Sequence, residues 1–94
     1  NVNADTAAAE IATRLGASKL VLLTDVPGVL KAGKVLPRLD QTGANQLFAH
    51  HQITAGMMPK LTAAFSALKR GVANVSITND LTQSGTALAH QVSA

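Results

Sequence analysis

The sequence predicts an α/β protein with helices layered on a sheet. Two observations carry that prediction. Helix-like and strand-like stretches alternate along the 94 residues. The first strand-like stretch, "KLVLLT" (19–24), is a continuous apolar run, the pattern of a strand buried on both faces in a parallel sheet.

The elements follow in order. Residues 4–15, "ADTAAAEIATRL", read as a helix because alanine is the best helix former and Ala8, Ile11, Ala12 and Leu15 recur at helical spacing. Asn3 is a good N-cap, Asp5 suits the positive first turn, and Gly16 is placed to end the helix. After the strand at 19–24, Pro27-Gly28 mark a turn. Residues 31–40 are polar and broken by Gly33 and Pro37, which predicts a loop with room for a small hairpin. Residues 41–50 read as a short helix and 51–60 as a connection. Pro59 fits a first helical turn, where its missing N–H costs nothing. The stretch 60–70 is amphipathic, with Leu61, Ala64, Phe65 and Leu68 in its stripe, Lys69-Arg70 at its negative end and Gly71 as its stop. Residues 73–79 alternate apolar and polar as a strand does, 80–85 form a turn, and 86–91 form a final edge strand.

Composition bounds the function. A chain this short buries only about 60–65% of its unfolded surface. Much of the 47% apolar content is alanine, and Phe48 and Phe65 are the only aromatics. Such a thin core predicts a neighbouring domain, a second chain or a missing half. The absent initiating methionine is a hint of truncation, although processing also removes it. With no cysteine, disulfide scaffolds and cysteine-based zinc sites are excluded. No apolar run approaches the roughly 20 residues that span a bilayer, so no membrane partner is expected. The net charge is +3, from eight scattered basic residues against five acidic ones, without interleaved aromatics. That pattern argues against nucleic acid, and it suits either a solvated surface or a polyphosphate site.

Three segments could carry chemistry. Thr24 and Asp25 stand where the first strand ends, the edge at which open α/β sheets bind ligands, although "TD" before "PG" is also ordinary turn chemistry. In "GMMPK", Gly56 allows close backbone approach, and Lys60 sits in a first helical turn that is already positive. A lysine there is either a solvated surface residue or the partner of a bound anion. Asn1 has no local structural task, and its amide suits a carboxylate or amide ligand. His50 and His51 are adjacent, so they do not face one another as metal ligands would, and no metal-ligating residues are assigned. There is no P-loop, dinucleotide glycine fingerprint or serine nucleophile elbow.

Taken together and in order, "NVNAD" before a helix, "KLVLLTDVPGVL" at a strand end and "GMMPKL" at a helix start resemble the C-terminal half of the amino-acid kinase family, in its N-acetylglutamate kinase branch. The resemblance covers nearly all of residues 1–78. It implies a three-layer αβα sandwich around a mainly parallel sheet. The nucleotide-binding part would occupy residues 1–94, and the substrate-binding N-terminal half would be absent from the chain. The implied reaction moves the γ-phosphoryl group of ATP onto the side-chain carboxylate of N-acetylglutamate, in the arginine pathway of the cytoplasm. The implied full-length protein is a homo-oligomer.

Residue by residue, the resemblance makes Lys60 the lysine that stabilises the transferring phosphoryl group and Asp5 the aspartate that holds the catalytic lysines. It assigns Asn1 to the acetylglutamate. Asp25, Val26, Pro27, Gly28, Val29 and Leu30, with Gln52, Ile53, Thr54 and Met57, would embrace the nucleotide, and Mg²⁺ would arrive bound mainly through the phosphates. The chain departs from the family in two ways. The partner lysine in a glycine-rich loop and the substrate-gripping residues are missing, and "NDLTQSGTALAH" leaves no room for the usual helix between the last two strands. The fragment alone is therefore expected to bind ADP weakly and to turn nothing over. Two other readings stay open: a sibling kinase such as the carrier-linked α-aminoadipate kinase, and a non-catalytic nucleotide-binding module.

Overall fold

In the computed structural model, which describes residues 3–90, the chain folds as helices packed on a mainly parallel sheet. Helix α1 (Ala4–Arg14) leads into strand β1 (Lys19–Leu23). Strands β2 (Leu30–Lys31) and β3 (Lys34–Val35) form a small antiparallel hairpin, followed by β4 (Arg38–Leu39). Helices α2 (Gln41–Ala49) and α3 (Met57–Lys69) precede β5 (Asn74–Thr78) and β6 (Thr86–Leu88). The main sheet runs β1-β5-β6-β4. The β1–β5 and β6–β4 pairs are parallel and β5–β6 is antiparallel.

Local chemistry accounts for each helix end. Asn3 caps α1 by accepting from the Asp5 N–H at 2.8 Å, and Asp40 caps α2 by accepting from Gly43 at 2.7 Å. All three helices close with the same paired backbone bonds. In α1 these are Gly16 to Thr13 and Ala17 to Ala12, and in α3 Gly71 to Leu68 and Val72 to Ala67. Helix α2 uses His51 to Phe48 and Gln52 to Leu47. The motif needs a left-handed residue, and Gly16 and Gly71 supply it freely. At α2 a histidine does so, His51, at φ 58°.

Helix α3 crosses β1, β5 and β6, and Leu61, Ala64, Phe65 and Leu68 are buried as the stripe predicts. It begins at Met57, three residues before the predicted start, with Pro59 still in the first turn. Helix α1 lies along α3. The pairs Asp5–Lys60 and Glu10–Arg70 run in the same chain direction, so the two helices are roughly parallel. The buried face of α1 differs from the predicted one. Ala9 and Ala12 are buried, while Ile11 and Leu15 are 58% and 78% exposed. Close approach of α1 to α3 needs small side chains at the contact, and the large ones turn outward.

Two strand expectations are also corrected. The apolar run of β1 is well covered on one face only: Leu22 is buried beside Ile77, whereas Leu23 is 53% exposed. The last strand, β6, is not at an edge. It lies between β5 and β4, and β4 comes from the segment read as a loop. The β5–β6 connection is a tight turn with no helix. The Asp80 carboxylate accepts from the Thr82 N–H at 2.9 Å and the Thr82 hydroxyl at 2.7 Å, and these bonds hold its pKa below the ordinary carboxylate value.

Candidate active site at the end of strand β1

The C-terminal end of β1 opens into a cavity of about 540 Å³, within the usual range for small-molecule sites. One wall is the segment leaving β1, with Thr24, Asp25, Val26, Gly28, Val29 and Leu30. The facing wall is the connection into α3, with Gln52, Ile53, Thr54 and Gly56, then Met57 and Lys60 of the helix itself. The sequence-nominated residues at 25–30 and 52–57 thus converge, apart from Pro27, which does not line the cavity. Asn1 lies outside the described residues.

Local structure explains the convergence. Strand β1 delivers Thr24 and Asp25 at its end, and the Thr24 N–H is tied to the Thr78 carbonyl at 2.9 Å. The cap of α2 turns Gln52 and Ile53 back toward the sheet, and Ile53 is buried. The Met57 N–H donates to the Thr54 carbonyl at 3.1 Å, which starts α3. The positive end of that helix therefore faces the cavity.

Lys60 sits at this end. Its Nζ donates to both carboxylate oxygens of Asp5, at 3.0 and 3.3 Å, and lies 3.5 Å from the Leu23 carbonyl oxygen at the end of β1. The two side chains are only 23% and 17% exposed. A lysine at a helix N-terminus opposes the helix dipole, and Asp5 offsets that unfavourable placement. Fifty-five residues separate the partners, so α1 and α3 must pack before the pair exists. With two donors on Asp5 and the third only weakly engaged at Leu23, the ammonium is fixed in place yet able to serve an anion in the cavity.

Thr24 and Gly56 also line the cavity. The strand-end position and the glycine's permissiveness were their only sequence signals. One buried side chain behind the wall, Thr86, left no signal in the sequence at all. Its Oγ1 accepts from the Val29 N–H at 2.8 Å, across 57 residues. His50 and His51 are both exposed, and among the described residues no three His, Cys, Asp or Glu side chains stand together as a metal site.

A mainly parallel sheet with helices packed on it and a cavity at a strand end define an α/β protein of the layered class. Comparison with known proteins makes the assignment particular. Residues 1–79 match the amino acid kinase family, and the chain belongs to it. It is 50% identical over 92 residues to an acetylglutamate kinase of Lactiplantibacillus plantarum, covering 98% of this chain and 37% of that protein. An acetylglutamate kinase of Leuconostoc citreum is 52% identical over 86 residues, covering 92% and 35%. Among solved structures, a protein of Streptococcus mutans UA159 superposes with a TM-score of 0.86 at 38% identity, covering 95% of this chain and 36% of that one. The N-acetylglutamate synthase of Neisseria gonorrhoeae, solved with coenzyme A and L-arginine, superposes at 0.78 with 29% identity, covering 95% and 24%. The chain thus spans about a third of the length of the curated relatives it matches.

Proposed function

We propose that this chain is the nucleotide-binding part of a kinase that phosphorylates the side-chain carboxylate of N-acetyl-L-glutamate, a cytoplasmic step of arginine biosynthesis. The observation that carries the reading is Lys60, held by Asp5 and lining a cavity walled by residues 24–30 and 52–57. The names of the relatives support the choice of acceptor.

The chemistry fits these residues. A carboxylate acceptor is already ionised at neutral pH, so no general base is needed. The difficulty is bringing an anion to a polyphosphate, and the remedy is alignment plus fixed positive charge. Lys60 and the N-terminus of α3 place that charge beside the cavity. Asp5 keeps Lys60 in position. The apolar side chains Val26, Val29, Leu30, Ile53 and Met57 offer a surface for the adenine. Mg²⁺ neutralises phosphate charge when bound with ATP. Among the described residues Asp25 is the one carboxylate that lines the cavity, so the ion would be held mostly by phosphate oxygens and water. The full-length protein is proposed to be a homo-oligomer that binds acetylglutamate largely through residues outside this chain, Asn1 being this chain's contribution.

Calorimetry with ADP tests the reading. The chain should bind ADP, and Lys60→Ala should weaken binding at least tenfold. Asp5→Asn, which keeps the size but releases the lysine, should fall between the two. The chain alone should produce no acetylglutamyl phosphate. Absence of ADP binding by the wild type would overturn the proposal. If the full-length protein preferred an aminoadipate acceptor, the sibling reading would replace it. Turnover-free nucleotide binding by the full-length protein would leave the non-catalytic module.

A further inference from the structure

Thr86 occupies an unusual position for a strand residue. It opens β6, is wholly buried, and sends its hydroxyl out of the sheet into the base of the β2–β3 hairpin. That hairpin pairs Leu30 with Val35 and Lys31 with Lys34, so the next pair in register is Val29 with Leu36. In an unbroken ladder Val29 and Leu36 would exchange both backbone bonds. Only one is present, from the Leu36 N–H to the Val29 carbonyl at 2.9 Å. The other is replaced by the hydroxyl, which accepts from the Val29 N–H at 2.8 Å and donates to the Leu36 carbonyl at 2.6 Å. The three bonds form a closed ring through Val29, Thr86 and Leu36.

Gly28 fits this arrangement. A Cβ built there would stand 2.8 Å from the Thr86 Oγ1 and 2.8 Å from the Val35 Cγ1, so any larger residue would push the chain off the hydroxyl. Val29 is buried and lines the cavity, as do Gly28 and Leu30. The wedge therefore sets where one cavity wall stands, and it ties that wall to a strand held between β5 and β4.

We propose that Thr86 is a positioning residue for the nucleotide cavity: its hydroxyl holds the base of the hairpin open and so fixes the Gly28–Leu30 wall against which the ligand packs. The proposal rests on the nucleotide reading for its ligand, but not for its geometry. In Thr86→Val, a near-isosteric change, the Val29 N–H and Leu36 carbonyl lose their shared partner. The methyl that replaces the hydroxyl can bond neither group, so both are left buried without that partner and the wall shifts to regain one. Thr86→Ser keeps the hydroxyl and should restore the wall.

Two measurements on the chain decide it. The first is ADP affinity by calorimetry at a temperature where every variant is folded. Thr86→Val should bind at least tenfold more weakly than wild type and Thr86→Ser within about threefold. Val75→Ala, a destabilising change in the buried face of β5 away from the cavity, should bind as wild type does. The second is hydrogen exchange at the Val29 amide by NMR, with a chemical-shift change in Thr86→Val that Thr86→Ser does not show. Unchanged ADP affinity in Thr86→Val, or equal loss in Thr86→Ser, overturns the proposal. If wild type binds no ADP, the nucleotide reading fails, and the Val29 amide alone decides whether the wedge exists. If Thr86→Val does not fold, Gly28→Ala takes its place. It should weaken ADP binding and perturb the Val29 amide, and a silent Gly28→Ala would overturn the inference.

Discussion

Glu10 accepts from the guanidinium groups of two arginines. Arg14 lies one turn along α1, and Arg70 lies at the end of α3. The Arg70 hydrogen bond, followed by that of Arg14, lowers its pKa from 4.5 to about 2. A carboxyl depressed in the folded state contributes stability that is fully present above its ordinary pKa and is lost as pH falls through the folded value. For Glu10 that window runs from about pH 4.5 down to about 2. The group is exposed, so the contribution is small and screened by salt. Urea midpoints for wild type and Glu10→Gln should therefore differ at pH 6 and converge as pH is lowered into that window. A gap that stayed constant from pH 6 to pH 2 would mean that the Glu10 charge carries none of it. The pair also illustrates a limit of local reading. Arg14 is one turn away and visible in sequence, whereas Arg70 is sixty residues distant and becomes a partner only through packing.

Among the elements, α2 has the costliest termination. Its closing motif places His51 in the left-handed region, where a Cβ costs about 1–2 kcal/mol. The equivalent positions after α1 and α3 are glycines. His51→Gly should relieve that strain, although the greater freedom of glycine in the unfolded chain takes back part of the gain. The net expectation is a stabilisation of about 0.5–1 kcal/mol, seen as a rise of a few degrees in Tm. A fall in Tm would show that the histidine side chain makes a compensating contact. The same motif aims Gln52 and Ile53 at the cavity, so the strain sits one residue from a site wall. The chain signalled the other two stops with glycine. Nothing in "FAHHQ" marked this one, because only the backbone bonds reveal it.

For the whole molecule, the balance of covered and uncovered apolar surface matters most. Among the described residues β1 has a pairing partner on one side only, and Ile11, Leu15 and Leu23 are all exposed. An edge strand with free backbone groups and large apolar side chains left in water both favour unwanted association. The double variant Ile11→Lys, Leu15→Lys should reduce concentration-dependent light scattering. It should shift stability by no more than about 0.5 kcal/mol per site, since neither side chain is buried. A large loss of stability would show that the outer face of α1 contributes to the core after all.

What the sequence by itself determined is local. Helix starts and stops follow from Asn3, Gly16, Pro59 and Gly71, and the stripe of α3 follows from spacing. The strand-end and helix-start segments that meet at the cavity were legible as motifs, because close backbone approach and a lysine in a positive turn demand particular residue types. Tertiary structure alone decided the pairings. It chose Ala9 and Ala12 over Ile11 and Leu15 as the contact face of α1, since helix separation is set by the partner and not by periodicity. It placed β6 inside the sheet, because strand order is a property of register between distant segments. It also set the Thr86 hydroxyl against Val29 across 57 residues, which left no pattern along the chain, whereas the Asp5–Lys60 pair was implied by the family resemblance and forms only once α1 packs on α3.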